Sequence, residues 1–196
     1  MAQRSGRRPG LSGTRDAILD AARERFSAVG FDKASIRSIA TQAGVDSALV
    51  HHYFGTKQEL FVAVVRLPVD PSVVVGPIAA APLDELGETV VRTVVGIWDS
   101  PAGAGITAAF RGVMAGGDET LLRTFLLEIA LKGVRERVDD PRGSAEKRVA
   151  LAASQMLGVF AARKILRIEP LASMPIDEVV AAIGPTIHGY LTGTIT

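Results

Sequence analysis

Hydrophobic positions recur at helical spacing along nearly the whole chain. Between Thr14 and Val29, the residues Ile18, Ala21, Ala22, Arg25, Phe26 and Val29 share one face, and Gly30 follows as a stop. A second start falls at Ser35, with Ile36, Ile39, Ala40 and Ala43 on one stripe and Gly44 as the C-terminal break. Asp46 is a good N-cap for a third helix from Ser47 to Phe54. Gly55 ends that run, and Thr56-Lys57-Gln58-Glu59 is a capping box opening a fourth helix with Leu60, Phe61, Val64 and Val65 inward. Two short helices hinged on Gly44 make a helix-turn-helix pattern.

Residues 68–82 hold four prolines, and this spacing predicts a connection rather than a regular helix. Beyond it the helical pattern resumes. Leu83, Leu86, Val90, Val94, Ile97 and Trp98 share a stripe, and Ile106, Phe110, Val113 and Met114 predict a modest helix before Gly116-Gly117. Asp118 then caps an expected helix carrying Leu121 to Val134 that is apolar on more than one side, as an enclosed helix would be. Ser144 opens the longest run, to about Ile168, and Pro175 starts the last, with a kink expected at Pro185. No strand alternation or internal repeat is legible. The pattern predicts an all-α protein: a flexible basic arm over residues 1–13, a helix-turn-helix domain over 14–67 and a larger helical domain over 68–196.

Composition adds limits. Hydrophobic residues at 47% and charged residues at 22% are those of a chain with a real core, and no stretch reaches the roughly 18 apolar residues of a membrane span. With no cysteine, thiol nucleophiles, disulfides and cysteine-based metal sites are excluded. The expectation is a cytoplasmic protein without membrane contact or cofactor. The net charge of +1 hides an asymmetry: residues 1–57 hold nine Lys/Arg against five Asp/Glu, and residues 58–196 hold thirteen against sixteen. Only the front of the chain suits a polyanion.

Candidate chemistry concentrates in VHHYFGTKQEL, Val50 to Leu60. At about 100° per residue, Val50 and Phe54 point to the core, while His52 and Ala48 point away and Leu49 and His51 lie to the sides. That outward face is small, flat and free of carboxylates beyond Asp46, which suits entry into a DNA major groove. Tyr53 and His51 can reach phosphates, and Lys57 adds a charge to the free amides of the fourth helix. Adjacent histidines do not face one another on a helix, so a metal site is not expected. Gly103-Ala104-Gly105-Ile106-Thr107-Ala108 satisfies a dinucleotide-binding pattern, but no strand precedes it and no second βαβ unit follows. The glycines read better as a loose helix start, and no catalytic motif is visible.

The run from Ser35 to Phe61, SIRSIATQAGVDSALVHHYFGTKQELF, resembles the DNA-binding domain of the TetR family of bacterial transcriptional repressors. The likeness covers about residues 14–65, and QMLGVFAARK through YLTG resembles the C-terminal regions of actinobacterial members. Many members carry tyrosine where His51 stands. The resemblance implies a nine-helix homodimer that binds a double-stranded pseudo-palindromic operator and responds to a small-molecule effector. Carried over by position, Ser35 and Arg37 would meet phosphates; Ser47, Ala48, Leu49 and His52 would face bases; His51, Tyr53 and Lys57 would hold the backbone.

In the larger domain, Trp98, Phe110, Met114, Phe125, Met156 and Phe160 either line a ligand cavity or pack a core. Arg111 and Glu128 are candidate polar anchors beside them. The last two helices carry more small and apolar residues than one intramolecular face needs. A dimer interface is expected there, through Ala152, Met156, Val159, Ala162, Arg163, Leu166, Ile183, Ile187 and Tyr190.

Overall fold

The computed structural model describes residues 11–65, 70–116, 119–126 and 130–194. The described residues form eleven α-helices and no strand, an all-α architecture with more helices than the nine expected. They are α1 (Leu11–Lys33), α2 (Ile36–Ala43), α3 (Ser47–Phe54), α4 (Lys57–Val65), α5 (Pro71–Ala80) and α6 (Leu86–Asp99). There follow α7 (Gly103–Met114), α8 (Glu119–Phe125), α9 (Lys132–Arg137), α10 (Ala145–Phe160) and α11 (Ile176–Thr192). The chain divides into two compact units, Met1–Arg66 with Thr120–Phe125, and Leu67–Glu119 with Leu126–Thr196. The basic arm with Arg4, Arg7 and Arg8 lies outside the described residues.

In the first unit, burial follows the periodic stripes. Ile18, Ala22 and Phe26 of α1, Ile39 of α2, Val50 of α3 and Leu60 and Phe61 of α4 are essentially inaccessible. Phe26 meets Phe61 edge-on at 4.8 Å and stacks with Phe31 at 5.8 Å, a geometry that adds to area burial. Gly30 leaves the helical region, so the regular part of α1 ends at Val29 and residues 31–33 form a separate turn.

Two stretches beyond residue 66 depart from expectation. Residues 71–80 are helical, because Asp70 accepts from the Ser72 amide at 2.9 Å as N-cap and Pro71 takes the first turn, where a proline loses no bond. The single helix expected from Asp118 is instead α8 and α9. The Leu131 amide donates to the Leu126 carbonyl five residues back at 2.9 Å, a π-type bond, and residues 127–129 lie outside the described residues. A similar π-turn, Ala161–Ile165, closes α10. α11 runs unbroken past Pro185, which lies on its exposed side.

α6 and α11 form the most extensive contact, crossing where Gly87 meets Gly184 and His188. A Cβ on Gly87 would lie 2.5 Å from the His188 Cβ, so only glycine permits this approach. Two buried arginines fasten the unit. Arg148 donates to the carbonyls of Asp140, Tyr190 and Gly193 and to the Ser144 hydroxyl. Arg163 donates to Asp99 at 2.7 Å and to the Leu171 carbonyl, and Lys164 reaches the other Asp99 oxygen at 2.8 Å. Burial opposes ionisation of Asp99, but hydrogen bonds from Arg163 and Lys164, with their charges, outweigh it and hold its carboxyl below the ordinary value.

The residues expected at a dimer contact differ in how far this protomer encloses them. Ala152, Met156, Val159 and Ile187 are buried inside their own protomer, with Ile187 at 0% exposure, and Arg163 is consumed by Asp99. Ala162, Ile183 and Tyr190 are half-buried, and Leu166 is exposed. The most apolar stripe of each helix faces its own core. The outward faces carry mostly small residues: Ala150, Ser154 and Gly158 beside the larger Leu157 on α10, and Ala181, Ala182, Pro185, Thr186 and Gly189 on α11.

Candidate nucleic-acid interface

α2 and α3 are held by three local devices. Ser35 caps α2: its hydroxyl accepts from the Ser38 amide at 3.1 Å while the Ser38 hydroxyl accepts from the Ser35 amide at 3.2 Å. Gly44, at φ 69° and ψ 31°, turns the chain in the left-handed region that L side chains rarely adopt. Asp46 then caps α3 by accepting from the Ala48 amide at 2.7 Å.

On α3, Val50 and Phe54 are buried, and they anchor the helix to the first unit. Ala48, His51 and His52 are exposed, while Ser47, Leu49 and Tyr53 are half-buried. The His52 and Tyr53 rings meet edge-on at 5.5 Å. At the neighbouring helix starts, Ser35 and Arg37 are exposed, and Arg37 makes no ion pair among the described residues. One continuous patch therefore offers hydroxyls, imidazoles and a guanidinium beside first-turn amides that lack intrahelical partners.

Two residues are more engaged than their sequence positions suggest. Lys57 lies over the Phe31 ring at 4.4 Å and donates to the Asp32 carbonyl at 3.2 Å, which leaves two of its three N–H groups for a phosphate. His51 places Nδ1 2.7 Å from the Gly55 carbonyl oxygen. A carbonyl only accepts, so Nδ1 carries a proton and spends it on this contact. Thr56 and Glu59 close the capping box, with the Thr56 amide and hydroxyl donating to one Glu59 oxygen at 2.7 and 2.8 Å.

The other expected sites sit in the second unit. Trp98 and Phe160 are buried with ring centroids 5.0 Å apart, and Phe110 meets Phe160 at 5.2 Å. They pack with Met156 into the core, while Arg111 and Met114 are exposed. The Phe125 side chain and all of Glu128 lie outside the described residues. A cleft of about 500 Å3 is lined by Val73, Pro77, Thr93, Gly96, Ile97, Ser100 and Ala102, none of them singled out from sequence as pocket residues. Thr93, Gly96, Ile97 and Ser100 are spaced as one helical stripe, a signal that was legible but not apolar enough to notice. Gly103 starts α7, where a Cβ would collide with the Trp98 carbonyl oxygen, so this glycine serves a tight reversal between helices. Among the described residues, no group of three metal-ligating side chains occurs, and no helix is long and apolar enough to cross a membrane.

An all-helical chain with a capped helix-turn-helix at its front and a separate helical unit behind it is the architecture of a DNA-binding transcriptional regulator. Family models agree: residues 18–64 match the bacterial regulatory proteins of the tetR family, and residues 84–191 match the tetracyclin repressor-like C-terminal domain. The chain belongs to the TetR family of transcriptional regulators.

Similar proteins include the HTH-type transcriptional repressor Rv1474c of Mycobacterium tuberculosis, 28% identical over 74% of this chain and 63% of that protein. The HTH-type transcriptional regulator BetI of Agrobacterium fabrum is 42% identical over 26% of this chain and 25% of its own length. Among solved structures, a TetR-family regulator from Streptomyces coelicolor is 35% identical, with 95% of this chain and 99% of that one covered and a TM-score of 0.45. The matched stretches thus span a quarter to about three fifths of these curated relatives.

Proposed function

We propose that the chain is a cytoplasmic repressor that binds a pseudo-palindromic operator as a homodimer and answers to a small-molecule effector held in its second unit. The observation that carries the reading is the exposed face of α3. Ala48 and His52 stand outward on a helix anchored by Val50 and Phe54, with Ser35, Arg37 and Lys57 beside the flanking helix starts. In this reading Ser47, Ala48, Leu49 and His52 meet base edges, and Ser35, Arg37, Tyr53 and Lys57 meet the backbone. The two α3 helices of a dimer would enter successive major grooves about 34–36 Å apart, which sets the half-site spacing.

The partner copy would pack on the small-residue faces of α10 and α11, since small side chains let helices from two protomers approach closely. Effector and DNA would then compete through a coupling free energy rather than for one site. Fluorescence anisotropy with the DNA upstream of the protein's own gene tests the reading. Saturable binding that weakens steeply with salt is the expected result; no binding at low salt would remove it.

A further inference from the structure

α6 has two unlike faces. Leu86, Val90, Val91, Val95 and Trp98 are buried in the core, while Thr93, Gly96, Ile97 and Ser100 line the cleft against Val73 and Pro77 of α5. A packed helix would carry bulky side chains on that second stripe. Here a glycine and two hydroxyl residues leave about 500 Å3 unfilled, within the range of small-molecule sites.

The lining sets the chemistry of an occupant. None of the seven residues is ionisable, so a carboxylate or ammonium would be desolvated without a partner. The Ser100 hydroxyl is already used locally, donating to the Ile97 carbonyl at 2.7 Å and accepting from the Ala102 amide at 3.2 Å. The Thr93 hydroxyl has no hydrogen-bond partner among the described residues. Pro77 has no N–H to offer the Val73 carbonyl four residues earlier, so that oxygen lacks its ordinary helical partner. One spare hydroxyl that can donate and accept, in a lining without charge, matches a ligand group that does both.

We propose that this cleft binds an uncharged, largely aliphatic alcohol, with its hydroxyl on Thr93 and its hydrocarbon chain along Val73, Pro77 and Ile97. The identification of this ligand as the effector rests on the regulator reading above; the binding itself does not. A hydroxyl fits where a carboxylate of the same chain length does not.

The test compares three ten-carbon probes, 1-decanol, decanoate and decyltrimethylammonium, by thermal shift on the full chain and by anisotropy with operator DNA. The alcohol raises Tm with dose and the charged probes do not. Thr93→Val, nearly isosteric, needs about fivefold more alcohol for the same shift, the loss of one hydrogen bond. Val73→Trp, placed on a residue that is 53% exposed and so outside the packed core, fills the cleft and abolishes the response. Equal or larger shifts with a charged probe, or an alcohol response untouched by both substitutions, would overturn the assignment. DNA binding without any alcohol response sinks the cleft alone, whereas alcohol binding without DNA binding sinks the regulator and leaves the cleft.

Discussion

His51 is tied to one glycine twice. Its carbonyl accepts from the Gly55 amide at 2.8 Å and its Nδ1 donates to the Gly55 carbonyl at 2.7 Å. The pair ends α3 and sets where Thr56 and Lys57 begin the next helix. Asparagine places its amide where Nδ1 stands, and glutamine places its amide where Nε2 stands. His51→Asn is therefore expected to keep both Tm and DNA affinity near wild type, while His51→Gln loses about 1 kcal/mol of stability with the clasp. A glutamine variant that binds DNA as well as wild type while asparagine fails would return His51 to the role of phosphate ligand. Lys57→Ala, by contrast, should weaken binding to all DNA and reduce the salt slope by about one phosphate's worth, roughly 0.9. Side chain identity and face were legible here because i, i+4 spacing decides both. The tautomer was not, since it depends on a carbonyl that only the fold brings within reach.

Helix ends show the same division between short-range and long-range causes. Gly44 and Gly55 were both read as stops, yet their backbones differ. A Cβ on Gly44 meets nothing within 4 Å, so Gly44→Ala carries only the left-handed backbone cost of about 1 kcal/mol. At Gly55, φ 73° with ψ −106° lies outside what L residues adopt, and a Cβ would strike the Glu59 carboxylate that holds the capping box. Chemical denaturation should therefore rank Gly55→Ala as clearly more destabilising than Gly44→Ala. The helix over residues 71–80 was missed because its prolines were counted rather than placed: one begins the helix and the other is tolerated within it.

At the C-terminal end of α6, Asp99 joins that helix to the π-turn after α10 through Arg163 and Lys164. Its folded pKa is depressed, so its contribution is present above the unfolded value of about 3.8 and is lost as pH falls through the folded value. Asp99→Asn leaves the buried Arg163 charge without its carboxylate and should cost about 2 kcal/mol at neutral pH, a figure reduced because Asp99 is 31% exposed. Urea melts should show that deficit constant from neutrality down to about pH 5 and shrinking below it as wild type loses the same contacts. A deficit independent of pH down to pH 2.5 would mean that the aspartate acts through packing.

For the whole molecule, the helix-turn-helix is readable from sequence because each of its contacts spans few residues, while which helix faces stay outside the protomer's own core is not. Periodicity selects the most apolar stripe, and in α10 and α11 that stripe fills the protomer's own core, with Ile187 fully enclosed. The proposed partner would then sit on the opposite faces, where Gly158, Ala182 and Gly189 are exposed. Two substitutions separate the faces. Ala182→Arg adds a long charged side chain outside the core and should turn a dimer into a monomer in light scattering at micromolar concentration. Ile187→Ala leaves the outer face intact and should lower stability by about 2–5 kcal/mol while the folded protein remains dimeric. Because association stabilises only the folded state, wild-type Tm should rise with protein concentration, and Ala182→Arg should remove that dependence. DNA affinity then supplies the link to function, since two half-sites bound through one dimer lose their linkage when the protomers part, and operator binding by Ala182→Arg should fall to that of a single half-site.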